Sequence, residues 1–201
     1  MNAAVGVGVA LAVLLAVTGC AGAEPPARSD QPSARAPASA PSTVPSTLLP
    51  ARPREVALAG ADACSVITPA LRGQLGVTAR MDRRPAGDHL DSSDCQWTNF
   101  PADPGFALFV RLVRNQGVEP YLNLPAARLT SVSGFGAVDL PGQFADPDEG
   151  CVVRVDVAPG QAVWAGYSSD GPVPGQTGER MCASAHAAAA SVLDQLSARA
   201  R

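Results

Sequence analysis

The chain of 201 residues carries five cysteines, Cys20, Cys64, Cys95, Cys151 and Cys182, and two histidines, His89 and His186. These side chains can do covalent, metal or proton-transfer chemistry: a thiol takes lipid, pairs with a second thiol or binds zinc, and an imidazole moves a proton. Zinc needs ligands at short, regular spacing, yet no Cys-x-x-Cys pair occurs, and His89 stands in a polar stretch while His186 stands among alanines. A serine nucleophile needs a strained turn such as Gly-x-Ser-x-Gly, and the sequence has none. The cluster Asp146-Pro147-Asp148-Glu149 lacks the ligand spacing of an EF-hand loop and reads as a solvated turn. No catalytic residue, metal or cofactor is therefore expected.

Cys20 closes a stretch that decides where the chain goes. From residue 3 to residue 17 every side chain is Ala, Val, Leu or Gly, an apolar run of 15 residues. That suits the core of a secretory signal peptide and falls short of the roughly 20 needed to cross a bilayer. Residues 1–19 are read as that signal, although Met1 to Ala4 lack the positive charge with which such peptides usually begin. An uncleaved transmembrane anchor is the competing reading, because residues 3–23 hold no charge. Val17, Thr18 and Gly19 before Cys20 resemble the lipobox of bacterial lipoproteins. The resemblance implies that the thiol receives a diacylglyceryl group and that cleavage leaves Cys20 as the lipid-bearing N-terminus. Two acyl chains are what stable anchoring requires. The expected place is the cell membrane, facing outside the cytoplasm.

Composition sets the next limits. Residues 20–55 read as a tether: eight prolines fall between Ala21 and Arg54, with hardly a large apolar side chain before Leu48-Leu49. Such a segment buries too little to offset its chain entropy, and at about 3 Å per residue it reaches roughly 90 Å. Its Ser and Thr amid Pro also suit O-linked sugar. Residues 56–201 have the length of one domain. They hold fifteen Asp and Glu against eleven Arg, a net charge of minus four with no basic footprint, so no nucleic-acid partner is expected.

The elements that must position these residues follow from local pattern. Asp62 to Ile67 reads as one helical turn. Thr68 then caps a short helix with Pro69 at its first position and Gly76 as its left-handed end. Thr78 to Asp94 is polar and reads as a loop, including Arg83-Arg84 and His89. Cys95 to Phe100 alternates as a strand, and Phe106 to Val113 is an apolar central strand with Arg111 near its exit. Glu119 to Arg128 is expected as a short helix interrupted at Pro125, and Ser133 to Leu140 as a glycine-kinked strand. Cys151 to Val157 reads as half-buried, with Val153, Val155 and Val157 inward and Arg154 and Asp156 outward. Pro159-Gly160 turns it back into Gln161 to Tyr167, and Glu179 to Ala198 is the long helix. Its stripe is Met181, Ala185, Ala188, Ala189, Val192 and Leu196. Trp97 and Trp164 are expected in the core. The fold class is α+β, an antiparallel sheet packed against a long C-terminal helix and a short N-terminal one. With Cys20 lipidated, four cysteines allow three pairings. Cys64 with Cys95 and Cys151 with Cys182 is preferred, because each pair then joins a helix to a strand.

Asp62-Ala63-Cys64-Ser65-Val66-Ile67-Thr68-Pro69, Cys95-Gln96-Trp97, Gly134-Phe135-Gly136-Ala137, Cys151-Val152-Val153 and Cys182 in an Ala-rich final helix form a series. Together they resemble the actinobacterial envelope lipoproteins grouped as domain of unknown function 3558, over roughly residues 56 to 197. The family's usual Asp-Pro-Cys start is Asp-Ala-Cys here. The resemblance implies a lipoprotein with a tethered α+β domain and brings no activity with it. The expected function is a non-catalytic binding or sensing module for a small ligand, wall component or protein partner. The alternative is an envelope hydrolase or transferase, which a cleft gathering His89 or His186 with an acid and a hydroxyl would favour.

Overall fold

The computed structural model of the chain describes residues 48–81, 89–142 and 148–199. The signal, Cys20 and the tether up to residue 47 lie outside them, as do Arg83-Arg84 and Asp146-Pro147. Seven strands are described: β1 (Ala79–Met81), β2 (Ser92–Thr98), β3 (Phe106–Val113), β4 (Arg128–Val132), β5 (Phe135–Pro141), β6 (Gly150–Ala158) and β7 (Gln161–Ser169). They form one antiparallel sheet in the order β1-β2-β3-β7-β6-β5-β4. Two α-helices accompany it, α1 (Pro69–Gln74) and α2 (Gly178–Arg199). The α+β class expected from sequence is the observed one.

Local chemistry accounts for the helix ends. Thr68 accepts the Leu71 N–H at 3.2 Å across the first turn of α1, and Gly76 ends the helix at φ 68°. At the start of α2, Thr177 accepts the Arg180 N–H at 3.3 Å, and the Asp148 carboxylate accepts the Gly178 N–H at 2.8 Å. Asp148, read from sequence as part of a solvated turn, thus holds the positive end of the long helix. The stripe of α2 is buried as expected and packs over β6 and β7. Beneath it lie Phe135, Val153, Val155 and Ala165, and the same core continues under the 3-10 turn Ala63–Ser65 and α1 with Leu108, Leu112 and Trp97, whose ring is covered by Arg72.

Three expectations are corrected. The strand expected over Ser133 to Leu140 is the second arm of a tight hairpin: Val132 pairs with Phe135, and Ser133 and Gly134 between them take φ 50° and 83°. Positive φ at both central residues fits the twist of a two-residue turn, and glycine adopts it without strain. Within Thr78 to Asp94, Ala79 to Met81 form an edge strand on β2, held by backbone pairing that leaves no hydrophobic pattern. Glu119–Tyr121 is a single 3-10 turn where a short helix is expected.

The half-buried reading of β6 is also overturned, because every residue of it is buried. The face away from α2 carries Val113, Val138, Leu140, Val152 and Trp164. It is covered by Val118 and Leu122 of the loop between β3 and β4, and by Leu49. The packed chain therefore begins before Val56. From Leu49 it crosses this second face, passes Gly134 at Pro53, and reaches the helix face, where Val56 N–H donates to the Val157 carbonyl at 2.9 Å.

The disulfides pair Cys64 with Cys95 and Cys151 with Cys182, each across a sequence separation of 31. The first ties the 3-10 turn Ala63–Ser65 to β2, and the second ties β6 to α2. Loops of that size restrict the unfolded chain by roughly 3–4 kcal/mol apiece. Replacing Cys151 and Cys182 together by Ser is expected to lower the urea unfolding free energy by about that amount. A loss below about 1 kcal/mol would show that α2 is held by apolar packing alone.

Candidate functional site

The chemistry-bearing side chains fall in three places. The first is a row on the second face. Register aligns Asp94, Arg111, Trp164, Arg154, Val138 and Leu129 on six neighbouring strands, so their side chains stand beside one another. Arg111 Nε donates to Asp94 Oδ1 at 2.5 Å, with both side chains only 6% exposed. Trp164 lies between two guanidinium groups, with Arg111 at 5.3 Å and Arg154 at 4.4 Å from its ring centre. Arg154 also stacks on Tyr121 at 3.6 Å, and Tyr121 meets Trp164 edge-on at 5.5 Å. Gln116 donates to the Tyr121 hydroxyl. Burial lowers the Arg154 pKa to about 10, the Tyr121 charge opposing the shift and Arg111 adding to it, which leaves the group cationic at neutral pH.

Close packing governs this face. The Phe109 ring lies over Gly166, where any Cβ would collide with it. On β6, two residues beyond Arg154, the nearly buried Asp156 carboxylate accepts from Arg52 Nη2 at 2.8 Å. Burial raises its pKa, and the bond and charge of Arg52 hold the rise back. A cavity of about 150 Å³ adjoins this pair, lined by Leu49, Pro50, Ala51, Arg52 and Asp156. Such a row can hold the buried part of the second face in register.

The second place is on the helix face, where His186 Nε2 of α2 lies 2.7 Å from Asp139 Oδ1 of β5. It is an imidazole oriented by an acid, partly exposed, and no hydroxyl among the described residues hydrogen-bonds to the ring. His89 is exposed and contributes its backbone carbonyl, which accepts from Asn115. The structure therefore joins one of the two sequence-marked histidines to an acid that spacing did not mark.

The third place is a groove of about 580 Å³ between residues 54–57 and the last turns of α2. Arg54, Glu55, Val56, Ala57, Asp194, Leu196 and Ser197 line it. Among the described residues no group of three potential metal ligands occurs, and no helix is long and apolar enough to cross a membrane.

A family model described as a protein of unknown function, DUF3558, matches residues 15–195. The chain belongs to the DUF3558 family. No curated protein and no solved structure matches it. In this DUF3558 chain the polar row escaped the sequence reading. Alternation put Arg154 and Asp156 on the face of β6 opposite Val153, Val155 and Val157, as observed, but that face is covered by a loop with no periodicity to announce it. The available signal was Arg111 and Trp164 in strands otherwise apolar, since isolated polar groups in central strands are buried with partners.

Arg52 offers the sharpest test of how this face is closed. Its removal leaves the Asp156 carboxylate buried without the opposing cation. Arg52→Ala is expected to cost about 1–3 kcal/mol at neutral pH. The penalty belongs to the ionised carboxylate, so it grows as pH rises through the native-state value of Asp156, which burial lifts above the usual carboxylate range, and it vanishes once the carboxyl is protonated below that value. Urea unfolding at neutral pH and near pH 4 checks this. A loss of equal size at both would place the effect in packing of the Arg52 stem.

Proposed function

We propose that the chain is a lipoprotein of the cell envelope, anchored through lipid on Cys20 and facing outside the cytoplasm, whose folded domain binds or senses a ligand and does not turn one over. The observation that carries the anchor is the apolar run ending in Val17-Thr18-Gly19-Cys20. Two disulfides agree with an exported chain, because an oxidising compartment lets them form and persist. Membership of a family without an assigned activity leaves the domain's role to its own geometry. Binding is supported by the groove beside α2, whose volume lies in the range of small-molecule sites and whose lining mixes apolar, charged and hydroxyl side chains. A tether confines such a module to a shell above the membrane, where a weak binder gains effective concentration.

The His186–Asp139 pair favours the alternative, an envelope hydrolase or transferase, since an acid that orients an imidazole is half of a nucleophile-activating set. The readings separate in cells lacking the protein and supplied with variants. His186→Ala is expected to restore the lost phenotype as fully as the unaltered chain does. Cys20→Ala is expected to leave the membrane fraction and restore nothing, while intact mass of the membrane-extracted native chain shows Cys20 as its lipid-bearing first residue. A shed Cys20→Ala domain that restores everything, with His186 indispensable, would replace the binding module by an enzyme.

A further inference from the structure

The groove beside α2 has walls that the core holds in place. On one side, Val56 is bonded to Val157, and the Arg54 guanidinium donates to Ser197 Oγ at 2.5 Å while stacking 5.4 Å from the centre of the Phe135 ring. On the other side are the final turns of α2, with Ser197 in turn bonded to the Leu193 carbonyl at 2.6 Å. Val56 and Leu196, both buried, supply an apolar floor. The site is thus formed before any ligand arrives, so little ordering cost falls on binding.

Its lining carries two carboxylates and one guanidinium, a net negative charge. Glu55 enters from the first wall and Asp194 from the second, both exposed, and neither makes an ion pair or side-chain hydrogen bond with another described residue. The C-terminal end of α2, with the negative end of its backbone dipole, lies at the same place, and Arg199 of its last turn is held on Ser65. The cation in the lining, Arg54, is held on Ser197 and Phe135. We propose that this groove binds a small organic cation, an ammonium carried on an apolar body, with the body on Val56 and Leu196 and the charge between Glu55 and Asp194. An anion would meet two carboxylates and a helix C-terminus, and a neutral apolar molecule would leave both acids unanswered. The proposal deepens the reading of the domain as a binding module and rests on it.

The test titrates the full chain in lipid nanodiscs with benzylammonium, benzyl alcohol and phenylacetate, three probes of one shape and different charge, followed through the amide resonances of Val56, Ala57 and Leu196. Benzylammonium is expected to bind about five- to tenfold more tightly than benzyl alcohol, phenylacetate more weakly than either, and added salt to narrow the gap. Glu55→Gln and Asp194→Asn, both at exposed positions, are each expected to weaken benzylammonium about two- to fivefold and to leave benzyl alcohol unchanged. Equal binding of the three, preference for phenylacetate, or no movement of these resonances overturns the cation site. Those outcomes leave the anchored module standing, because that reading falls only to the Cys20 and His186 pattern described above.

Discussion

The constraint on which the rest of the structure depends is that β6 and β7 are covered on both faces. An antiparallel sheet can leave one face to water, and alternation along β6 has that appearance. Here the second face is closed by the loop between β3 and β4 and by the segment from Leu49, so Arg111, Arg154 and Asp156 become interior residues. A charge taken out of water needs an answer nearby. Asp94 answers Arg111, Arg52 answers Asp156, and the rings of Trp164 and Tyr121 take the Arg154 guanidinium between them.

Such a row contributes little stability beyond what apolar side chains of the same volume would give. Its consequence is register. A one-residue slip of β6 would swing Arg154 and Asp156 into the apolar core beneath α2, away from the rings of Trp164 and Tyr121 and from Arg52, which answer them in the native register. Cys151, on the same strand, fixes the opposite face to Cys182, so the two faces of β6 are held separately, one by a covalent bond and the other by charge. The Arg52–Asp156 pair then extends this alignment to the N-terminal segment, which carries residues 54–57 to their place beside the last turns of α2.

What could be read from sequence depended on whether the cause was local. The Thr68-Pro69 start and Gly76 end of α1, the stripe of α2, the Pro159-Gly160 hairpin and both cysteine pairs are governed by neighbours in the chain or by the elements they join, and all were legible. Ser133-Gly134 was misplaced because Gly136, two residues on, made the whole stretch look like one kinked strand. Gly136 serves a different end, letting Leu49 approach the sheet. The second cover, the His186–Asp139 pair and the groove between Glu55 and Asp194 come from segments far apart in sequence, with no period or motif to link them.

That the second face is a closed interior, with the open site beside α2, is tested most directly by the exposure of Trp164. The only other tryptophan, Trp97, lies in the core on the other face, beneath Arg72 of α1, and can be replaced by Phe, leaving Trp164 as the sole indole emitter. The structure predicts blue-shifted emission from this variant and strong resistance to quenching by acrylamide until the protein is unfolded in urea. Emission like that of indole in water, with ready quenching in the folded protein, would mean that the second face stands open and that the search for the site belongs there.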